Sequence, residues 1–185
     1  DNLFRKIKGK SISMIFQEPM SSLNPVFTCG YQVDEMTRLH LKYSKQQAKE
    51  ATLDFFKKVG LPEPLRIYNS YPHQISGGQI QRVMIAMAIS CHPDLLIADE
   101  PTTALDVTIQ KKILDLLVNI RDEFGISILF ISHDLGVIRS ITSRVNVMYK
   151  GSILEEGLTE EVLKHPQHLY TQGLIACKPP LYQKL

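Results

Sequence analysis

The sequence predicts an α/β protein with a mostly parallel β-sheet, helices on both faces of the sheet, and an inserted α-helical subdomain. From residue 94 to residue 150, short apolar stretches alternate with stretches of helical periodicity. These short stretches are apolar throughout, which is typical of strands in a parallel sheet that helices cover on both faces. Residues 31–91 are helical in character and lie between two pieces of this pattern. We therefore interpret them as an insertion into the α/β core.

Composition and charge exclude several classes of protein. A chain of 185 residues is long enough for about one domain, and its net charge of +2 is too small to indicate nucleic acid or anionic lipid as a partner. No apolar run approaches the roughly 18 residues of a membrane-spanning helix. The three cysteines form no CxxC pair, so the sequence indicates neither a zinc site nor a disulfide framework, and a reducing, cytoplasmic setting fits.

Periodicity and breaker residues predict the elements before residue 92. In chain order they are a strand at Ile12–Phe16, a loop over 18–30, helix from Tyr31 to about Val59, an irregular stretch at Leu61–Gln74, and a helix from about Gly78 to Cys91. Ser44 and Gln47 have the spacing of a capping box within the first helical region.

The same signals predict the elements from residue 92 to the end of the chain. They are a strand at Leu95–Ala98, a helix at Ile109–Phe124, a strand at Ser127–Ile131, a helix at Leu135–Ile141, a hairpin of Val145–Tyr149 and Ser152–Glu156, and two short helices beginning near Thr159 and Leu169.

The strongest single feature is an apolar strand that ends in two adjacent carboxylates, Leu95-Leu96-Ile97-Ala98-Asp99-Glu100-Pro101. At the carboxyl edge of a parallel sheet such groups face the ligand crevice. We predict that Asp99 holds a hydrated Mg²⁺ and that Glu100 is the general base for an attacking water. These residues alone are also compatible with an acidic turn that caps the next helix.

A glycine-rich segment, Ile75-Ser76-Gly77-Gly78-Gln79, precedes a predicted helix. Ser76 occupies the N-cap position, and the two glycines let backbone N–H groups approach an anion closely at the positive end of the helix dipole. Taken alone, a Gly-Gly pair is also common in ordinary loops. Its position upstream of the acidic strand end favours anion binding.

Two further polar residues follow predicted strands. His133 comes after the strand that ends at Ile131, where it can donate a hydrogen bond to a terminal phosphate, although a lone histidine is more often structural. Gln17 ends the first strand. We therefore expect Gln17, Asp99, Glu100 and His133 to converge on one crevice beside the glycine-rich segment.

These segments together resemble the ABC ATPases. Ser76–Gln79 resembles the signature motif, Leu95–Glu100 the Walker B strand with its catalytic glutamate, Ala104-Leu105-Asp106 the D-loop, His133 the switch histidine, and Gln17 the Q-loop glutamine. All five occur in the family order, and the resemblance covers nearly the whole chain.

The resemblance implies a P-loop-NTPase-like fold, an ATP hydrolase activity, and ATP and Mg²⁺ as cofactors. It implies a head-to-tail dimer with a second ABC ATPase subunit, identical or different, that encloses two ATP molecules. The residues implied to bind the partner's nucleotide in trans are Ser76, Gly77, Gly78 and Gln79. The residues implied to act in cis are Glu100 and His133 in catalysis, Gln17 in nucleotide binding, and Asp99 and Gln17 at Mg²⁺. Asp106 is also implied to bind nucleotide.

One motif of the family is absent. The P-loop should precede Gln17 by several tens of residues, and Gly9-Lys10-Ser11 resembles only its end, because Phe4 stands where the motif requires a glycine. The residues after Ser11 are also typical of a strand rather than a helix. We therefore expect the N-terminal strands and the P-loop to be missing from this chain, and the chain alone to be inactive.

The motifs divide the sequence into four predicted regions. These are a partial ATPase core with the Q-loop at 1–30, the helical subdomain ending in the signature motif and its helix at 31–91, the core with Walker B, D-loop and switch histidine at 92–158, and a helical tail at 159–185.

Three segments resemble the peptide/nickel importer ATPases in particular. They are Lys8-Gly9-Lys10, Phe16–Pro25 around the Q-loop and His165–Thr171 in the tail. This resemblance implies a peripheral subunit at the cytoplasmic face of the inner membrane, which binds membrane-spanning permease subunits and works indirectly with an extracytoplasmic solute-binding protein. Peptide is favoured over nickel as the solute. We expect Met20 and Leu23 to be exposed for contact with a permease.

Two alternatives remain among ABC-type ATPases, namely soluble members that act in translation or in DNA repair. The DNA-repair relatives need a long heptad-repeat arm between the Q-loop and the signature motif. The interval from Gln17 to Ser76 has room only for a compact helical subdomain. The sequence therefore favours the importer, with no nucleic acid as a partner.

Overall fold

The structure is a computed structural model that describes residues 7–18, 22–102 and 106–177. Met20 of the Q-loop segment, together with Ala104 and Leu105 of the D-loop-like segment, therefore lies outside the described residues. The chain divides into two compact units, Asp1–Ile131 and Ser132–Leu185, and each unit is considered by itself.

The first unit is built on a three-stranded parallel sheet, as the sequence predicts. Its strands are β1 (Ile12–Ile15), β2 (Leu95–Asp99) and β3 (Ser127–Ile131), in the spatial order β1-β2-β3. Ile15 pairs with Ala98, and Asp99 pairs with Ile131. Because the strands are parallel and in this register, their carboxyl ends meet at one edge of the sheet.

The two faces of this sheet differ in exposure. Ile15, Leu96 and Ala98 on one face are fully buried. On the opposite face Leu129 and Ile131 remain 50% and 43% exposed. An apolar sheet face of this kind normally packs against another layer of structure.

The helical subdomain lies between β1 and β2 in the chain. It consists of α1 (Cys29–His40), α2 (Lys45–Lys58), α3 (Pro64–Asn69), a 3₁₀ turn at Pro72–Gln74 and α4 (Gly77–Ile89). The predicted capping box of Ser44 and Gln47 is present at the start of α2. The insertion is thus a set of short, connected helices.

The prediction of an irregular stretch at Leu61–Gln74 is wrong. Helix α3 and the 3₁₀ turn occupy most of it. The prolines do not prevent these helices, because Pro64 and Pro72 stand at their first positions, where the missing N–H group has no intrahelical partner to lose.

A buried carboxylate ties three helices of the subdomain together. Asp34 of α1 is only 8% exposed. It accepts hydrogen bonds from the Thr52 hydroxyl of α2 at 2.6 Å and from the Tyr68 hydroxyl of α3 at 2.5 Å. Burial, aided by the bond to Asp34, raises the pKa of Tyr68 well above its usual range. These bonds satisfy a charge whose burial would otherwise be costly.

Helix α5 (Val107–Phe124) connects β2 to β3. The Asp106 side chain caps its start by accepting from the Ile109 N–H group at 2.9 Å. Gly125 ends the helix in the left-handed conformation, with φ 64°, as is usual for a C-terminal glycine. The apolar side of α5, including Ile113 and Leu117, belongs to the buried core of the first unit.

The second unit contains the predicted hairpin and three short helices. They are α6 (Leu135–Ile141), β4 (Arg144–Tyr149), β5 (Ser152–Leu158), α7 (Thr159–Lys164) and α8 (Leu169–Ala176). Lys150 and Gly151 both have positive φ, at 46° and 83°, which suits the tight turn between antiparallel strands.

The His-Pro-Gln-His segment of the tail caps a helix. Both carboxylate oxygens of Glu155 accept backbone hydrogen bonds, from Gln167 at 2.7 Å and from His168 at 3.1 Å. The Gln167 bond is the main reason that the pKa of Glu155 lies below its usual value. His168 Nδ1 in turn accepts from the Tyr170 N–H group at 3.0 Å. This part of the importer resemblance therefore has a local structural role.

The prediction that Leu23 is exposed is wrong. Its side chain is 2% exposed and belongs to the core cluster that contains Ile15 and Ile80. Val26, three residues later, is 69% exposed. The loop after β1 therefore turns Leu23 inward and presents Val26 instead. None of the described helices is long and apolar enough to cross a membrane.

We expect Leu23→Ala to lower the free energy of unfolding by about 2–5 kcal/mol, because it leaves a cavity in a packed core. Val26→Ala, at an exposed position of the same loop, should change it by less than about 0.5 kcal/mol. Urea denaturation followed by circular dichroism measures both. Equal effects of the two substitutions would contradict the inward position of Leu23.

Candidate functional site

Three predicted site residues meet at the carboxyl edge of the sheet. Asp99 is the last residue of β2, and Glu100 follows it. The Glu100 N–H group donates to the Ile131 carbonyl at the end of β3, at 3.0 Å. The Gln17 side chain, two residues beyond β1, donates through Nε2 to Glu100 Oε2 at 3.0 Å. The structure thus brings Gln17, Asp99 and Glu100 together, as the strand ends predict.

Glu100 has an unusual backbone conformation. Its φ of 44° lies in the left-handed region, which costs free energy for a residue with a β-carbon. Such a conformation persists only where the surroundings enforce it. On one side the bond to Ile131 holds the peptide. On the other side Pro101 and Thr102 are buried.

Sequence analysis missed Gln81, which holds this turn. Its Nε2 donates to the Pro101 carbonyl at 2.7 Å, and its side chain is fully buried. The signal that could have found it is helical spacing, because Gln81 stands three and four residues before Met84 and Ile85, on an apolar side of the helix. A glutamine at a core position of a helix indicates a specific hydrogen bond.

The signature-like segment forms the start of α4. The Ser76 hydroxyl accepts from the Gln79 N–H group at 3.4 Å, and the Gln79 side chain accepts from the Ser76 N–H group at 3.0 Å. The predicted N-cap at Ser76 is therefore confirmed. The polar side chains of this segment cap the helix, and Gly77 and Gly78 begin it.

Neither backbone strain nor packing explains the two glycines. Neither has a positive φ. A β-carbon on Gly77 would meet no described atom within 4 Å outside the local helix backbone, and one on Gly78 would make ordinary contacts of 3.6 Å with Ile109. Glycine is a poor residue for a helix, by roughly 0.5–1 kcal/mol relative to alanine. Open space above a helix N-terminus suits the close approach of an anion.

The donor set at the sheet edge fits a magnesium ion. Asp99 is partly buried at the end of β2 and supplies a carboxylate. Because the amide nitrogen of Gln17 is bonded to Glu100, its oxygen is the atom that could face a cation. Mg²⁺ takes one or two protein oxygen ligands and completes its octahedron with phosphate and water oxygens. Within the described ranges, no group of three or more His, Cys, Asp or Glu side chains could hold a metal ion.

The two remaining predicted site residues are described by their local structure. Asp106 caps α5 through its side chain. His133 is exposed and belongs to the second unit, next to Asp134, which caps α6 by accepting from the Gly136 N–H group at 2.8 Å. The roles of Asp106 and His133 toward a nucleotide remain predictions.

The Gly9–Ser11 segment is a turn that leads directly into β1. The Gly9 N–H group donates to the Ile12 carbonyl at 2.8 Å, and Gly9 has a φ of 78°. A P-loop would be followed by a helix. Strand β1 follows instead. The interpretation that Gly9-Lys10-Ser11 is not a P-loop is confirmed.

The loop after Leu23 presents a small apolar surface. Gln32 of α1 holds this loop by accepting from the Asn24 N–H group at 2.8 Å and donating to the Asn24 and Phe27 carbonyls at 3.1 Å. Val26, Phe27 and Tyr31 are 69%, 44% and 43% exposed. The rings of Phe27 and Tyr31 stack with centroids 5.0 Å apart. We call Val26, Phe27 and Tyr31 the Q-loop patch.

A parallel sheet with an acidic pair at its carboxyl edge, a glutamine beside that pair and a helix that begins with two glycines are the features that the resemblance to the ABC ATPases implies. A family model described as ABC transporter matches residues 3–103. The chain belongs to this family.

Two named relatives are similar to nearly the whole of this chain. A Brucella ovis protein named for peptide import ATP binding is 50% identical over 181 residues, which are 98% of this chain and 54% of that protein. The glutathione import ATP-binding protein GsiA of Escherichia coli is 51% identical over 177 residues, 96% of this chain and 28% of GsiA. The chain therefore spans about half or less of the length of these relatives.

Solved structures share the fold. The ATP-binding cassette MJ0796, described as a dimer in a post-hydrolysis state with ADP and Pi, is 31% identical with a TM-score of 0.75, over 86% of this chain and 67% of that chain. CbiO1 of Clostridium perfringens, part of the transporter complex cbiONQ, is 27% identical with a TM-score of 0.74, over 89% of this chain and 62% of that chain.

We expect Gly77→Ala in the complete subunit not to lower the melting temperature, because the added methyl group has room and alanine favours the helix. ATP turnover should fall about tenfold or more, because the methyl group would keep a phosphate away from the backbone N–H groups. Gly173→Ala in α8 is a matched control, since its β-carbon also meets no described atom within 4 Å outside the local helix backbone. Turnover unchanged in Gly77→Ala would show that the site needs no glycine there.

Proposed function

We propose that this chain is part of the ATP-hydrolysing subunit of an importer for peptides or related solutes. The observation that carries the proposal is the hydrogen bond between Gln17 and Glu100 beside Asp99, at the carboxyl edge of the sheet. In this arrangement the Asp99 carboxylate can hold a metal and the Glu100 carboxylate can accept a proton. The Gln17 amide orients the Glu100 carboxylate.

The residues divide the work of hydrolysis. Asp99 and the amide oxygen of Gln17 would hold Mg²⁺, which would neutralise charge on the phosphates. Glu100 accepts the proton of the attacking water, and Gln17 keeps the Glu100 carboxylate in position through its 3.0 Å hydrogen bond. His133 donates to the terminal phosphate. Asp106 contacts nucleotide from the start of α5.

A phosphate-binding loop completes the site from a segment of the protein outside this chain. The exposed apolar face of the sheet, with Leu129 and Ile131, supports this proposal, because a further layer of structure would cover it. Without P-loop amides and lysine the β- and γ-phosphates lack their main ligands. This chain alone is therefore inactive as an ATPase.

The second half of each site comes from another ATPase subunit. Ser76, Gly77, Gly78 and Gln79 lie at an open helix N-terminus, which suits the γ-phosphate of a nucleotide held by a partner subunit, whether an identical chain or a different one. The dimeric state in the name of the MJ0796 structure agrees with this arrangement.

Two observations support the importer assignment. The first is that the names of the relatives refer to import of peptides and glutathione. The second is that helices α1 to α4 include no long heptad-repeat helix of the kind that DNA-repair relatives need, which disfavours that alternative. The Q-loop patch gives permease subunits an apolar contact close in sequence to Gln17, at the cytoplasmic face of the inner membrane. A solute-binding protein on the other side acts only indirectly.

We expect Glu100→Gln in the complete subunit to keep ATP binding and to slow hydrolysis by about 10²-fold or more, because an amide cannot accept the proton. Steady-state phosphate release and nucleotide binding are measured on the same preparation. The 185-residue chain alone is the negative control and should match a blank without enzyme. Normal turnover in Glu100→Gln would assign the base to another residue.

Val26→Asp or Phe27→Asp should uncouple the importer: transport falls about tenfold or more, while basal ATPase activity stays within about twofold. A charge would disfavour the apolar contact with a permease helix, and an exposed side chain contributes little to folding. Leu39→Asp, at a 57% exposed position of α1, is the control outside the Q-loop patch. Transport and ATPase activity are measured in the same proteoliposomes. Full transport by both variants would exclude the patch as the contact.

A further inference from the structure

Gln81 makes a hydrogen bond that a core residue does not need for packing. Its side chain is fully buried within the first turns of α4. Nε2 donates to the Pro101 carbonyl at 2.7 Å, and in the described part of the chain no group donates to its Oε1. A buried acceptor without a partner costs free energy that leucine or methionine at this position would avoid. The donor on Nε2 is therefore the reason for a glutamine.

The bond acts on the turn that carries Glu100. Pro101 has no N–H group, so its carbonyl is the only backbone group through which that residue can be tied down. Upstream, the Glu100 N–H group is fixed to Ile131 at 3.0 Å. Downstream, Gln81 fixes the Pro101 carbonyl. The two bonds hold between them a residue whose φ of 44° is intrinsically unfavourable.

We propose that Gln81 is a positioning residue for ATP hydrolysis: it locks the Glu100–Pro101 turn so that the Glu100 carboxylate faces the attacking water. This inference rests on the proposed function, in which Glu100 is the base. Gln81 acts through the Glu100 turn, since its side chain is fully buried and bonds to the Pro101 carbonyl. Because α4 also begins with Gly77 and Gly78, one helix carries both the anion-binding start and the side chain that sets the Glu100 turn.

The test uses the complete subunit with Gln81→Met, which keeps the side-chain volume and removes the donor. We expect kcat to fall about 10- to 100-fold, because a displaced catalytic group loses much of its effect. KM for ATP should stay within about twofold, and the melting temperature within about 4 °C, because the substitution also removes the unpaired Oε1. Ser90→Ala, at the other end of α4, removes a partly buried bond of 2.8 Å to the Met87 carbonyl and is the matched control, with kcat unchanged.

A double-mutant cycle separates positioning from a general structural role. In the Glu100→Gln background, Gln81→Met should have no further effect on the residual single-turnover rate, since the group it positions is already disabled. An equal fold-loss in both backgrounds would overturn the proposal. So would a kcat for Gln81→Met within twofold of wild type, or loss of folding in both Gln81→Met and Gln81→Leu.

The same assays distinguish this inference from the proposed function. If the wild-type subunit does not hydrolyse ATP, or if Glu100→Gln is as active as wild type, the proposed function fails and the positioning role falls with it. If wild type is active, Glu100→Gln is impaired and Gln81→Met is normal, only the role of Gln81 is wrong.

Discussion

The parallel pairing of β1, β2 and β3 is the constraint on which the rest of the first unit depends. In antiparallel strands the residues after each strand would alternate between two edges. Here the register of Ile15 with Ala98 and of Asp99 with Ile131 brings all three carboxyl ends to one edge. The hydrogen bonds that Glu100 makes with Ile131 and Gln17 are possible only in that arrangement.

Helix α4 is the second fixed element, because it belongs to the sheet core and to the helical subdomain at once. Ile80 and Met84 are buried in the same cluster as Ile15 and Leu96 of the sheet and Phe56 of α2. Its start is open to solvent at Gly77, whereas Gln81, one turn later, reaches the Pro101 carbonyl. Helix α4 therefore connects the open start at Gly77 to the acidic turn that follows β2.

The sequence predicted the strands and most helix ends well, because those signals are local. Ser44 and Ser76 were identifiable as caps from residues three positions away, and β2 from an apolar run that ends in two acids. Leu23 was not predictable, since a single apolar residue in a polar loop has no periodicity to orient it. Its burial depends on distant partners in the core. Gln81 was missed for the same reason, because its partner lies twenty residues away.

Three locally unfavourable features occur in the first unit. Glu100 has a positive φ, α4 begins with two glycines that packing does not require, and Gln81 buries an acceptor that no described group satisfies. Each would be improved by an ordinary substitution if stability were the only requirement. Under the proposed function each also has a use, in directing a carboxylate, admitting an anion or holding a turn. Unfavourable local structure of this kind supports the proposed roles of these residues, independently of any family likeness.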